Sequence, residues 1–205
     1  MHYLRITNDK YFLFIPLIMK LEKRTFKLPE GDFEVEATRF EEADRKRFAE
    51  IYVKWRKLSD ELKNLGGRGI NLPEVLSEGS FALEMDVLRV VKSISGANSS
   101  WDCYDPIKHK RIQVKACSVL PDLTSFGPTS QWDEIYFLNF YREGNWDGTF
   151  DIYKIENELI YNHKVNENQT MREQQNQKRR PRFSIYKEII QKIGIQPIKT
   201  GNILI

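Results

Sequence analysis

The spacing of hydrophobic residues predicts two long helices in the first half of the chain. Between residues 40 and 65, large apolar side chains recur at steps of three and four, which is the period of an amphipathic helix, and Gly66-Gly67 follows as a stop signal. A second helix is expected to start near Pro73, a favourable first helical residue, and to continue through Val91. The first helix would pack in the core or form part of a subunit interface.

A change to alternating apolar and polar residues predicts a β-hairpin in the centre of the chain. Ile112, Val114 and Ala116 alternate with polar neighbours, as expected for a half-buried strand. Asp105-Pro106 is typical of the start of a turn, so the preceding residues would form the partner strand.

The register of this hairpin determines which polar side chains meet. If the strands pair symmetrically about the turn, Tyr104 faces Arg111 and Asp102 faces Gln113, with Lys115 two residues further along the same face. Opposed side chains on one face of a sheet are roughly 5 Å apart. A carboxylate, an amide oxygen and an ammonium group would therefore converge at one place.

The remaining pattern predicts a central sheet with helices packed against it, which is an α/β or α+β arrangement. Residues 11–19 are apolar but too short to span a membrane, and they are expected to form a strand or core segment rather than a signal peptide. The other predicted elements are a loop at 120–128, strands at 135–140, 150–155 and 159–161, and a last helix at 185–193.

Composition narrows the functional classes only slightly. The chain has 205 residues, enough for one large domain or a domain with an appendage, and its formal net charge is +3, so overall charge does not identify a nucleic-acid binder. Across the hairpin, Cys103 would face Ile112 and not Cys117, so no disulfide is expected between the two cysteines. Reduced thiols are typical of a cytosolic protein. The three histidines, His2, His109 and His163, do not have the spacing of a metal site.

The converging groups of the hairpin are suited to a divalent metal and an activated water. Hard cations such as Mg²⁺ prefer oxygen ligands, which the carboxylate of Asp102, the side chain of Gln113 and the backbone carbonyl of Val114 could supply. Lys115 could orient the attacking water and offset developing negative charge.

A further acid could come from the helix that precedes the hairpin. Glu74 and Glu78 are four residues apart and share one helix face, and Glu78 is the preferred additional ligand. The alternative is that both are ordinary solvated glutamates.

A basic and amide-rich segment near residues 164–187 is the best candidate for DNA recognition. Arginine pairs with guanine, asparagine and glutamine pair with adenine, and basic groups neutralise phosphates. A solvated basic surface is the alternative. The candidate contacts are Arg179, Arg180, Arg182, Lys178, Arg172, Asn168, Gln169 and Gln175, with Arg68 and Ser125 elsewhere.

The spacing of the candidate catalytic residues resembles the PD-(D/E)xK nuclease superfamily. Asp102 matches the first acid, and Gln113-Val114-Lys115 matches the second motif. Trp101 stands where the family usually has proline, and Gln113 replaces the usual acid, a change that a glutamate from a nearby helix can accompany. Residues 67–74, 122–128 and 168–184 are similar to type II restriction endonucleases, in particular a small group that cuts GCNGC.

This resemblance implies a restriction-endonuclease-like core, with a central mixed β-sheet flanked by helices. Residues 1–40 would be a strand-rich extension and residues 41–205 the nuclease domain. The implied activity is Mg²⁺-dependent hydrolysis of double-stranded DNA at a short palindrome by a cytoplasmic prokaryotic homodimer, without a membrane partner. Two alternatives remain: a structure-specific repair or recombination nuclease, and a non-catalytic DNA-binding module in which Gln113 marks lost chemistry.

Overall fold

A computed structural model describes residues 20–98 and 100–205 of the chain. The predicted apolar segment at 11–19 lies outside the described residues. In the described part, no helix has both the length and the apolar character needed to cross a membrane.

Within the described residues, twelve strands form one large sheet and two small ones. The strands are β1 (Leu21–Leu28), β2 (Gly31–Thr38), β3 (Leu88–Arg89), β4 (Cys103–Asp105), β5 (Lys110–Cys117), β6 (Thr124–Ser125), β7 (Glu134–Asn139), β8 (Thr149–Ile155), β9 (Lys164–Asn166), β10 (Gln169–Thr170), β11 (Arg182–Phe183) and β12 (Lys199–Asn202). The large sheet has eight strands in the order β1-β2-β3-β4-β5-β7-β8-β12. Its β5–β7 pair is parallel and its other pairs are antiparallel, so the predicted mixed sheet is confirmed.

Helices pack against this sheet, as the sequence predicted. They are α1 (Glu42–Asn64), α2 (Glu74–Met85), α3 (Asn157–Tyr161) and α4 (Met171–Asn176), followed by a C-terminal helix over 185–193 whose middle, Tyr186–Gln191, is π-helical. The predicted position of α1 is confirmed, and Phe48, Tyr52 and Trp55 are buried along one face. Leu58 is instead 49% exposed, because the buried face of α1 continues through Ser59, and Leu65, which follows the end of α1, is 85% exposed.

Two element predictions were wrong. The second helix ends at Met85 rather than Val91, because Asp86 adopts a left-handed conformation (φ 52°) and Leu88–Arg89 then joins the sheet as β3. Residues 159–161 lie in α3 rather than in a strand. A short apolar run does not distinguish a strand from a buried helical turn, and here Ile160 supplies the buried side chain.

The register of the central hairpin is confirmed, but its burial is not. Tyr104 pairs with Arg111 and Cys103 with Ile112. Ile112, Gln113 and Val114 are all buried, so β5 is covered on both faces rather than half-buried. This position in the middle of the sheet fixes the backbone that carries the candidate catalytic residues.

The hairpin of β1 and β2 extends the central sheet at one edge. Thr38 pairs with Arg89 of β3, and the Phe26 ring stacks on Tyr104 with the centroids 3.9 Å apart. The backbone N–H of Lys27 donates to the Tyr104 hydroxyl at 2.9 Å. These contacts join residues 21–38 to the same core as the central hairpin. The domain boundary expected at residue 40 stays a prediction.

Candidate active site

Asp102 is oriented by the strand beside it. Its backbone N–H donates to the Ile112 carbonyl at 2.9 Å, which places Asp102 directly before β4 and against β5. The backbone N–H of Val114 then donates to Asp102 Oδ2 at 2.7 Å, and the side-chain nitrogen of Gln113 donates to the same oxygen. Two donors therefore fix one oxygen of the carboxylate in place.

Lys115 lies in the same cleft as Asp102. Burial raises the pKa of the Asp102 carboxyl, and the positive charge of Lys115 opposes that shift. The cleft has a volume of about 530 Å³, and Val114 and Ser125 also line it. The convergence of carboxylate and ammonium that the sequence predicted is therefore present, while their roles in a reaction stay a prediction.

Glu78 brings a second carboxylate to this cleft from α2. The Nε of Arg89 donates to Glu78 Oε2 at 2.7 Å, and the two side chains are only 11% and 13% exposed. Burial, together with the charge of Asp102, raises the pKa of Glu78 to about 7, and Arg89 opposes the shift. Glu74 lies one turn earlier, lines the same cleft and is exposed.

Gln113 is placed differently from the sequence expectation. It is buried, and its side-chain nitrogen points to Asp102 and, at 3.5 Å, to the Val114 carbonyl. In this arrangement Gln113 donates to the carboxylate instead of offering an oxygen to a metal. An acid at this position would repel Asp102, whereas an amide can hold it.

The donor set fits a hard divalent cation, though not as a cluster of three acids. Within residues 20–98 and 100–205, no three His, Cys, Asp or Glu side chains are grouped so that they could hold a metal ion. Asp102 and Glu78 are partly buried, and each carries a raised pKa that a bound cation would reverse. The Val114 carbonyl and water would complete such a site, because Mg²⁺ commonly keeps several waters.

Asp122 connects the loop after β5 to the C-terminal helix, a role that sequence reasoning missed. Its buried carboxylate accepts from the backbone N–H groups of Ile185 at 2.9 Å and Tyr186 at 3.2 Å, and from the Ser184 hydroxyl. It therefore caps this helix from a segment 62 residues earlier in the chain. No local sequence signal joins two positions so far apart.

The same connection brings the basic segment to the cleft. Ser125 of β6 pairs with Arg182 of β11, and the Phe126 N–H donates to the Pro181 carbonyl at 3.0 Å. Ser125 lines the cleft, and its buried hydroxyl has no hydrogen-bond partner among the described residues. An arginine-rich segment therefore runs beside the candidate catalytic groups.

The other candidate DNA contacts differ in their surroundings. Lys178, Arg179, Arg180 and Arg182 are exposed, as are Asn168 in the turn between β9 and β10 and Arg68 in the loop after α1. Gln169 is half-buried and accepts from Arg179 Nη1 at 3.2 Å.

Gln175 and Arg172 make internal contacts. Gln175 is buried and donates to the Gly127 carbonyl at 2.8 Å, so its side chain holds a loop instead of facing solvent as a DNA contact would. Arg172 lies over the Tyr161 ring at 4.6 Å and is paired with Glu158 at 3.3 Å.

Comparison with known proteins identifies the family of the chain. The family model described as the Bsp6I restriction endonuclease matches residues 40–192. A curated relative, the type II restriction enzyme Bsp6I of Bacillus sp. (strain RFL6), is 34% identical over 167 residues, which cover 80% of this chain and 88% of the relative. No solved structure matches the chain. The predicted resemblance is confirmed, and this chain belongs to the Bsp6I restriction endonuclease family.

Proposed function

We propose that this protein is a type II restriction endonuclease that hydrolyses double-stranded DNA at the cleft between β5 and α2. The observation that carries the proposal is the convergence of Asp102, Glu78 and Lys115 at this cleft in a member of a restriction endonuclease family. Asp102, Glu78 and the Val114 carbonyl would hold Mg²⁺. When bound, the ion supplies a Lewis acid for the phosphate and lowers the pKa of a coordinated water.

The residues of the chain itself have separate tasks in this proposal. The Lys115 ammonium orients the attacking water and stabilises the negative charge that develops on the phosphate. Val114 N–H and Gln113 keep the Asp102 carboxylate aimed at the cleft. Ser125 lines the cleft, and rotation of its buried, unpartnered hydroxyl would let it donate to a phosphate oxygen.

Recognition is assigned to the basic segment within residues 164–187. The pairing of β6 with β11 places Arg182 next to the cleft, which supports contacts between the exposed arginines and the DNA around the cut. Arginine pairs with two acceptors of guanine, which suits a G- and C-containing palindrome such as GCNGC.

A palindromic site is matched by a homodimer with twofold symmetry. We propose that two copies of this chain act together in the prokaryotic cytoplasm, where the DNA is found. Val53 and Leu58 on α1 are exposed apolar residues that could contribute to contacts between the copies.

Digestion of a plasmid of known sequence with Mg²⁺, followed by sequencing of the ends, tests the proposed function. Discrete fragments with a common end sequence are expected. Random nicking would instead indicate a structure-specific nuclease, and a gel shift without cleavage would indicate a binding module. Omission of divalent cations should abolish cleavage and leave the fold intact.

A further inference from the structure

A second and larger cleft lies beside the candidate active site. It has a volume of about 960 Å³, and residues of α3, α4 and the loop after β6 line it. The segment 124–132 borders both clefts, because residues 124–125 line the first and residues 128–132 line the second. The two clefts therefore have one loop in common.

A row of aromatic rings connects the two clefts. The Phe126 and Trp132 ring centroids are 5.6 Å apart, and Trp132 stacks on Tyr161 at 5.2 Å with an interplanar angle of 8°. Lys115 Nζ lies 5.7 Å from the Phe126 centroid at one end, and Arg172 lies over Tyr161 at the other. Because Phe126 and Trp132 are buried, this row holds the two clefts at a fixed separation.

Some polar groups that line the second cleft are already used within the protein. Asn157 accepts from Trp132 Nε1 at 2.8 Å and donates to the Asp133 carbonyl, and Gln175 donates to the loop. The acid Glu158 is paired with Arg172. These groups build the walls of the cleft.

Gln131 and Asn176 are different, because their amides remain available. Both are exposed, and neither side chain makes a hydrogen bond within the part of the chain that the structure describes. The backbone N–H of Gln131 donates to the Ser100 hydroxyl at 3.2 Å, which fixes the main chain behind the free amide. Lys178, exposed and two residues after Asn176, adds a positive charge to the same cleft.

We propose that this second cleft binds the DNA next to the cleaved bond, and that Gln131 and Asn176 contact base edges there while Lys178 contacts a phosphate. An amide pairs through two hydrogen bonds with adenine, and it can also donate a single hydrogen bond to N7 or O6 of guanine or accept one from N4 of cytosine. The aromatic row would then set the distance between the bases that are read and the phosphate beside Lys115. This inference rests on the proposed function and adds two specificity residues to it.

The test compares Gln131→Ala, Asn176→Ala and the double variant with wild-type enzyme. The substrates are duplex oligonucleotides that carry the site mapped by plasmid digestion, or that site with one base pair changed. Asn145→Ala is the matched control, because Asn145 is an exposed amide that lines neither cleft. Melting temperature is measured for each variant, and little change is expected because neither tested amide makes an internal bond.

Each tested substitution should lower the ratio of kcat/KM for the mapped site to that for at least one altered site by about 10-fold, the usual effect of a lost base contact. Unchanged ratios in both single variants and the double variant would overturn the inference, and so would an equal loss in the Asn145 variant. Wild-type protein that binds DNA but never cleaves it would instead refute the proposed function.

Discussion

The candidate active site and the basic segment beside it are built in opposite ways. In the active-site cleft, buried contacts hold the acidic side chains: Val114 and Gln113 hold Asp102, and Arg89 holds Glu78. In the basic segment, Arg180 and Arg182 extend into solvent. Catalysis depends on groups fixed before the substrate arrives, whereas DNA contacts can form when the DNA binds. Substitutions in each region test this difference.

Removal of the first acid should have the largest effect. Asp102→Asn keeps the shape of the side chain but removes its charge, so we expect cleavage to fall by at least about 10³-fold, near the upper end for loss of one electrostatic group. Binding of Mn²⁺, measured by calorimetry, should weaken in parallel, while binding to duplex DNA persists. Asp32→Asn, at an exposed position of β2, is the control. Normal Mn²⁺ binding by the Asp102 variant would show that the metal ligands are misassigned.

The ion pair behind the cleft should also matter for stability. Arg89→Gln leaves Glu78 largely buried without its partner, so the free energy of unfolding should fall by about 3 kcal/mol, the lower end for a broken buried pair. Adding Glu78→Gln should restore part of that stability without restoring cleavage. Urea unfolding of the single and the double variant measures the free energy of unfolding, and a cleavage assay measures activity. If Arg89→Gln is as stable as wild type, the pair does not hold Glu78.

The cap of the C-terminal helix should contribute less to the free energy of unfolding than the Arg89–Glu78 ion pair does. Asp122→Ala removes the acceptor for two backbone N–H groups, and we expect a loss of about 2 kcal/mol, as for a strong N-cap. Thermal unfolding measures this loss. Asp122 joins the loop after β5 to the C-terminal helix, which directly follows the basic segment. Loss of this connection should therefore also lower DNA specificity. Asp32→Ala, at an exposed position of β2, should change neither property.

Exposed arginines should have the smallest individual effects. Arg180→Ala and Arg182→Ala should each weaken specific DNA binding by about 1–2 kcal/mol, within the range for one base contact, and leave protein stability unchanged. Binding titrations at several salt concentrations distinguish base from phosphate contacts, since a lost phosphate contact reduces the salt dependence. Arg47→Ala on α1 is the control. Unchanged sequence preference in both variants would place recognition elsewhere in the protein.

The sequence could predict features that depend on local patterns, but not those that depend on contacts between distant segments. The register that brings Asp102 to β5 follows from alternation and a turn, both of which are local patterns. The helix cap by Asp122 and the burial of Gln175 depend on contacts between distant segments, so composition placed Gln175 among the DNA contacts although it holds a loop. The early end of α2 depended on a single left-handed residue, Asp86.

The family was accessible from short motifs, whereas the two-cleft arrangement was not. Asp102 and the Gln113-Val114-Lys115 segment suggested a nuclease, and further segments suggested a type II restriction endonuclease. The family comparison confirms the restriction endonuclease family. The row of rings from Phe126 to Tyr161 joins residues of separate elements, and no periodic pattern marks it. Contacts of this kind become visible only in the folded chain.

The single-turnover cleavage rate of Lys115→Ala on a saturating duplex tests the central claim most directly. Lys57→Ala, an exposed lysine on α1, serves as control. We expect the Lys115 variant to bind the duplex with near wild-type affinity and to cleave it at least about 10²-fold more slowly, because an electrostatic group at the reacting phosphate is lost. Cleavage at the wild-type rate would show that Lys115, and the cleft it shares with Asp102, does not perform the reaction.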